Sequence, residues 1–154
     1  MSHVVELLTA DAPSSSMTSH VEVRAIPGAG ILGDRYHQGV GTFSPHPQKP
    51  DHEITFIEQE AIDAFVRDSG IAFTARDARR NVVTHGVDLN ALIGREFSVG
   101  RVRIRGMRLC EPCSYLAKKT SPQTLYGLVH KGGLRAQILS EGVVKVGDPI
   151  TALK

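Results

Sequence analysis

Only one stretch of this chain, residues 54–66, repeats its apolar positions at helical spacing. The other ordered stretches are short and alternate, or are evenly apolar. In the helical stretch Ile57, Ala61, Ala64 and Phe65 share one face, Glu58, Glu60, Asp63 and Arg67 take the other positions, and Gly70 follows as a C-terminal cap. Its acidic face reads as solvated surface rather than as a pair of catalytic carboxylates. Strand-like runs cover residues 4–8, 21–26, 78–83, 97–105, 135–139 and 142–146, with Gly147-Asp148 as a turn before Ile150. Short strands in such excess over helix predict a mainly β chain with short helices, a β-barrel with helical connections.

At 154 residues the chain is one domain, large enough for a real core. Residues 1–20 read as an N-terminal strand followed by an exposed loop around Ala12-Pro13-Ser14-Ser15-Ser16, and residues 21–154 read as the core. No run of about 18 apolar residues and no signal-peptide pattern occurs, so no membrane span is expected. With only two cysteines, this predicts a soluble protein of a reducing compartment, the cytoplasm.

The two cysteines stand in RLCEPCSYL, residues 108–116, directly after the alternating run Arg101-Val102-Arg103-Ile104-Arg105. The thiols therefore lie where a strand ends and the backbone turns outward, a place that often carries function. Cys110, beside Met107 and Leu109, reads equally well as a small buried hydrophobe. Cys113 follows Pro112, which fixes the backbone before it, and precedes Ser114 at a strand-to-helix switch. Unpaired backbone N–H groups there favour the thiolate, which is both the nucleophile and the soft metal ligand. Structural zinc needs two further ligands, and no second Cys-x-x-Cys or His-x-x-x-His pair is present. A dithiol redox centre is a minor reading, because the motif falls late in a strand-rich chain.

Charge is divided unevenly along the chain. Residues 1–75 hold 4 Lys/Arg against 10 Asp/Glu, whereas residues 76–154 hold 14 against 6, so the half with the cysteines carries the positive excess. That excess suits an anionic small molecule, although Arg101, Arg103 and Arg105 also fit a solvated strand face. Aromatic residues make up 5% and tryptophan is absent, which argues against a platform for stacking nucleic-acid bases. A phosphorylated ligand is the better expectation.

Between Pro27 and Pro50 lies PGAGILGDRYHQGVGTFSPHPQKP, rich in glycine and proline. A run of this length inside a compact domain reads as a functional loop, with a linker as the weaker reading. Asp34, Arg35 and His37 supply polar side chains in it, and Thr42 and Ser44 supply hydroxyls. Further on, Arg79 and Arg80 run into an apolar strand, where adjacent residues point to opposite faces and at most one can face a given pocket. Residues 114–119 and 122–130 read as short helices, the second ended by Gly132-Gly133.

In order along the chain, ILGDRYHQGVGTFS, residues 54–60, RRNVVTHGVDLNALIGREFSVG, LCEPCSYL, HKGGLRAQILSEG and VKVGD resemble the MOSC family, the domain named for the C-terminal part of molybdenum cofactor sulfurases. The resemblance implies a barrel of the pyruvate-kinase β-barrel type and binding of the molybdenum cofactor. It also implies a cysteine after a proline that either ligates molybdenum or carries sulfur, which carries over to Cys113. The soft thiolate matches sulfur-rich molybdenum coordination. For the phosphate of the molybdopterin, Arg80 and Arg135 offer planar donors and Lys131 a compact charge, while His130 and Asn81 offer hydrogen bonds to the pterin edge. Arg80 and Arg135 equally fit surface strand positions, and His130 a helix-end cap.

No pyridoxal-phosphate cysteine desulfurase domain is recognisable, so pyridoxal phosphate is expected only on a separate partner. No reductase module is recognisable either, so electrons are expected from a partner reductase. Two functions follow from the resemblance. One is a small molybdoenzyme that removes oxygen from N-hydroxylated substrates with Cys113 on the metal. The other is a sulfur carrier or cofactor-binding module, with a persulfide on Cys113 and a cysteine desulfurase as partner.

Overall fold

The computed structural model of the chain describes residues 2–11, 16–34, 53–109 and 133–153. Among them eleven strands follow in order: β1 (His3–Thr9), β2 (Thr18–His20), β3 (Glu22–Ile26), β4 (Gly30–Ile31), β5 (Ile54–Glu58), β6 (Val82–His85), β7 (Glu96–Val99), β8 (Val102–Leu109), β9 (Leu134–Ile138), β10 (Gly142–Lys145) and β11 (Ile150–Ala152). Helices α1 (Gln59–Ser69) and α2 (Ala75–Ala78) lie between β5 and β6, and a 3-10 turn at Leu89–Leu92 precedes β7. The helices expected at residues 114–119 and 122–130 and the loop at 12–15 lie outside the described residues.

Eight strands form one curled sheet in the order β11-β7-β8-β9-β5-β6-β1-β2, and β10-β3-β4 form a second. The large sheet curls until the N-terminal end of β1 meets the turn before β11. Val4 N donates to Asp148 O at 2.9 Å, Gly147 N to Val4 O at 2.8 Å and Ile150 N to Ser2 O at 3.1 Å. A bridge between His3 and Pro149 marks the same seam. Closure gives partners to backbone groups that a flat sheet would leave at its edge. The mainly β, barrel-like expectation holds.

Between the two sheets lies the main core, which includes Val4, Leu7, Val23, Ile54, Phe56, Val82, Phe97, Ile104, Leu134 and Val144. Phe56 and Phe97 meet edge to face at 5.5 Å near its centre. Helix α1 covers the opposite face of the large sheet through Ile62 and Phe65, against Leu8, Ile57 and Val83.

Residues 54–58, expected as the start of the helix, are a strand. Ile54, Thr55, Phe56 and Ile57 are all buried because β5 is central, with the main core on one face and α1 on the other. A fully buried run loses the alternation that would mark it as a strand, and its apolar positions then merge with the helical period that follows. The helix ends as expected: Gly70 takes φ 72° and its N–H donates to Val66 O at 2.9 Å. Two acids at the helix start serve the fold. Glu58 Oε2 accepts from Leu89 N at 3.0 Å and Glu60 Oε2 from Gly86 N at 2.7 Å, which clamps the turn after β6.

Residues 97–105 are two strands rather than one, joined at Gly100-Arg101 as a hairpin. Arg79 and Arg80 precede β6 and are not on a strand. Arg79 is the C-cap of α2 in the left-handed conformation, φ 58°, so the opposite-face argument does not apply to the pair.

Candidate functional site

Segment 110–132, which contains both cysteines, connects β8 to β9, and these two strands are antiparallel neighbours with Leu109 opposite Leu134. Cys110, Cys113, His130 and Lys131 lie outside the described residues, as do Arg35, His37, Thr42 and Ser44. The described residues show what stands where that segment leaves and re-enters the barrel.

Gly133 fixes the re-entry point. Its φ is 116°, and a Cβ there would sit 2.0 Å from Phe56 O, so the chain passes directly over the β5 backbone. The sequence places this glycine as a helix end; its demonstrable use is this close approach at the start of β9.

Two residues further in, cross-strand pairing builds a row across the sheet. Arg108 of β8 is opposite Arg135 of β9, and Arg135 is opposite Thr55 of β5. Residues directly opposite share a face, and this face is the one away from the main core, since Leu134 and Ala136 on either side of Arg135 belong to that core. Thr55 in turn meets Asn81, whose Oδ1 accepts from both Thr55 N and Thr55 Oγ1 at 3.1 Å. Asn81 N donates to Thr55 Oγ1 at 3.0 Å and Asn81 Nδ2 to Leu8 O at 3.2 Å.

Asn81 is thus buried and holds β1, β5 and the entry to β6 together. Three of the four hydrogen-bonding positions of its amide are used by these contacts, which leaves one N–H for a ligand. Arg80, half-buried, donates from Nη1 to Ala78 O at 3.0 Å. Asp34 is fully buried and accepts from Ala10 N at 3.1 Å, tying the end of β1 to the turn after β4. Of the residues read as site candidates, Arg135 and Asn81 lie in one row, joined through Thr55, with Arg80 adjacent to Asn81 in sequence. Asp34 is placed as a connector at the end of β1.

Arg135 carries the most informative atom of the site. Its Nη1 is buried and has no hydrogen-bond partner. A buried donor left unsatisfied costs about 1–3 kcal/mol, and more on a charged group, so this geometry fits a guanidinium held ready for an anion.

Two residues here escaped the sequence reading. Arg108 was signalled by a slip of parity: the arginines at 101, 103 and 105 alternate, and the next falls at 108. That slip is a β-bulge, because the register moves between Gly106 and Arg108 and leaves Met107 as the extra residue. The other residue is Glu53, buried at the start of β5, whose Oε1 accepts from Gly28 N at 3.2 Å and from Ile138 N at 3.0 Å. Burial raises its pKa above the ordinary carboxylate value, against the lowering effect of the Ile138 and Gly28 amides. Its partners are distant in sequence, and nothing local signals them.

On the outer face of β7 and β8, Glu96 receives Arg103 at 2.5 Å and Arg105 at 2.9 Å. The hydrogen bond from Arg105, then the charges of both arginines, hold the Glu96 carboxyl below its usual range. Arg103 and Arg105 are therefore the exposed strand-face residues that their alternation suggests.

The sequence profile of the MOSC domain matches residues 36–151. The structure of the YuaD protein from Bacillus subtilis superposes with a TM-score of 0.81 at 17% identity, over 99% of this chain and 96% of that one. YiiM from Geobacillus stearothermophilus gives 0.74 at 17% identity, over 100% and 76%. YiiM from Escherichia coli gives 0.72 at 18% identity, over 100% and 70%. These likenesses establish a shared fold. No curated protein sequence matches the chain significantly.

Proposed function

The chain belongs to the MOSC domain family, and on that premise we propose that it binds the molybdenum cofactor and works as a small molybdoenzyme on N-hydroxylated substrates. The family is associated with this cofactor in general. The observation that carries the reading here is the buried Nη1 of Arg135, without a hydrogen-bond partner, two residues inside the point where segment 110–132 rejoins the barrel. A phosphate is the group that such a guanidinium recognises best.

In this reading Cys113 is the thiolate ligand to the metal. Arg135 and Arg80 hold the phosphate with Lys131, and the remaining amide N–H of Asn81 and the ring of His130 bind the pterin edge. Arg35, His37, Thr42 and Ser44 frame the pocket from the glycine-rich loop, which Asp34 anchors to the end of β1. When bound, the cofactor supplies two-electron oxygen-atom transfer: an N-hydroxyl group, two electrons and two protons yield an N–H group and water. A partner reductase supplies the electrons.

The test is the metal content of protein purified from a molybdate-fed host, followed by a reductase-coupled assay with an N-hydroxylated amidine. About one molybdenum per chain with turnover supports the reading. Metal-free protein from a host that loads other molybdoenzymes overturns it.

A further inference from the structure

We infer that the cleft between helix α1 and strand β1 is a docking groove for a partner protein, and that its occupant is a segment with an apolar side chain between basic ones. This goes beyond the proposed function and does not rest on it. Ile62, Asp63, Val66 and Arg67 line the cleft from α1, at the spacing that puts them on one stripe of the helix. Glu6 of β1 and residues 73–75, which lead into α2, form the other wall. A volume of about 500 Å³ is that of a site for a few side chains rather than for a whole protein face.

A β-bulge aims Glu6 at this cleft. Along β1 and β6, Val4 is opposite Thr84 and Glu6 is opposite Val83, which leaves Val5 as the extra residue. Unbroken alternation from Val4 would send Glu6 into the main core and turn Leu7 out of it. With the bulge, Leu7 stays in the main core opposite Val82, and Glu6 shares with Val83 the face that α1 covers.

The cleft combines unpaired acids with an apolar floor. Glu6 Oε2 accepts from Ser19 Oγ at 3.2 Å, and Asp63 Oδ1 accepts from Gln59 Nε2 at 2.9 Å. Among the described residues neither carboxylate has a basic side chain within ion-pair distance, because Arg67, the arginine of the cleft, turns to Asp68 at 3.3 Å. Ile62 and Phe73, both buried, and the half-buried Val66 form the floor, and Phe65 braces Phe73 edge to face at 5.2 Å. Every lining residue comes from residues 1–75, which hold 10 Asp/Glu against 4 Lys/Arg. Charge complementarity therefore selects a basic segment, and the floor selects an apolar anchor within it.

The test is fluorescence anisotropy at low ionic strength with a labelled peptide of lysine-leucine-lysine repeats, against versions that carry serine for leucine or glutamate for lysine. The lysine-leucine peptide should bind wild-type protein about tenfold or more tighter than either control. Glu6→Gln combined with Asp63→Asn should weaken that binding about fivefold or more, and Val66→Ser by a similar factor. Glu22→Gln, the same loss of charge on the small sheet, should leave it unchanged. Glu6 and Asp63 are half-buried and exposed, so the double variant keeps the fold and carries the test if Val66→Ser does not. Equal binding by wild type and the double variant, or no preference for leucine over serine, overturns the groove. Sedimentation that shows a wild-type dimer absent from the double variant overturns the partner reading as well, since a second copy would then occupy the cleft.

Discussion

Asn81 and Thr55 hold each other through three hydrogen bonds, one from the Thr55 amide, one from its hydroxyl and one from the Asn81 amide back to that hydroxyl. Because Asn81 also reaches Leu8 on β1, the pair is the polar joint of three neighbouring strands at the level of Arg135. Asn81→Ala should therefore destabilise the protein by about 2–4 kcal/mol, since buried groups of Thr55 and Leu8 are left without partners. Equilibrium denaturation in urea checks it. A loss below about 0.5 kcal/mol would mean that water replaces the amide, as it does at exposed positions.

Glu53 makes stability depend on pH in the direction opposite to a paired surface acid. Its folded-state pKa is raised by burial, so the folded protein binds a proton more tightly than the unfolded chain does. This contribution to stability is greatest below the ordinary value of 4.5 and is lost as pH rises through the higher folded-state value. Glu53→Gln keeps an oxygen for the Gly28 and Ile138 amides without the charge. Its stability relative to wild type should rise with pH from acid to neutral, and parallel denaturation curves from pH 4.5 to 8 that keep a constant difference would contradict this.

Gly133 and Gly70 both have positive φ, but only Gly133 is also crowded, by Phe56 O at 2.0 Å. Gly133→Ala should cost about 2–5 kcal/mol through strain and displacement of the β5 backbone. Gly70→Ala, with nothing within 4 Å of the added carbon, should cost about 1 kcal/mol. Thermal melts of the two variants under identical conditions give the comparison, and equal losses would show that the close approach is relieved by a small shift of β9.

The cysteines separate the functional readings. Cys113→Ser should abolish molybdenum retention and turnover while the fold survives, and Cys110→Ser should leave both largely intact. Equivalent effects of the two substitutions would point instead to a dithiol centre, since a disulfide needs both sulfurs. A persulfide on Cys113, seen by mass spectrometry in a protein without turnover, would identify a sulfur carrier.

Much of the barrel was legible in the chain itself. β1, β3, β9 and β10 alternate or carry even apolar runs, Gly70 caps α1, and Gly147-Asp148 turns before β11. The failures share a physical cause. β5 is buried on both faces and shows no period of its own, and Arg79 takes a left-handed cap that only tertiary context selects. For the candidate site, residue type and family resemblance point to Arg135 and Asn81, and the structure joins the two through Thr55. That Asn81 is mainly a joint, and that Arg135 faces Arg108, depends on pairing between strands far apart in sequence.

The seam between residues 2–4 and 147–150 has a consequence for synthesis on the ribosome. β2 covers the C-terminal part of β1 early, but the N-terminal end of β1 finds its partner on that side only when residues 147–150 have been translated. Until then the edge of β1 near His3 and Val4 waits with open backbone groups, and the core it covers stays accessible. Closure joins residues about 145 positions apart, a contact of the kind that folds slowly, so the nascent chain stays open to mispairing at this edge until residues 147–150 are made.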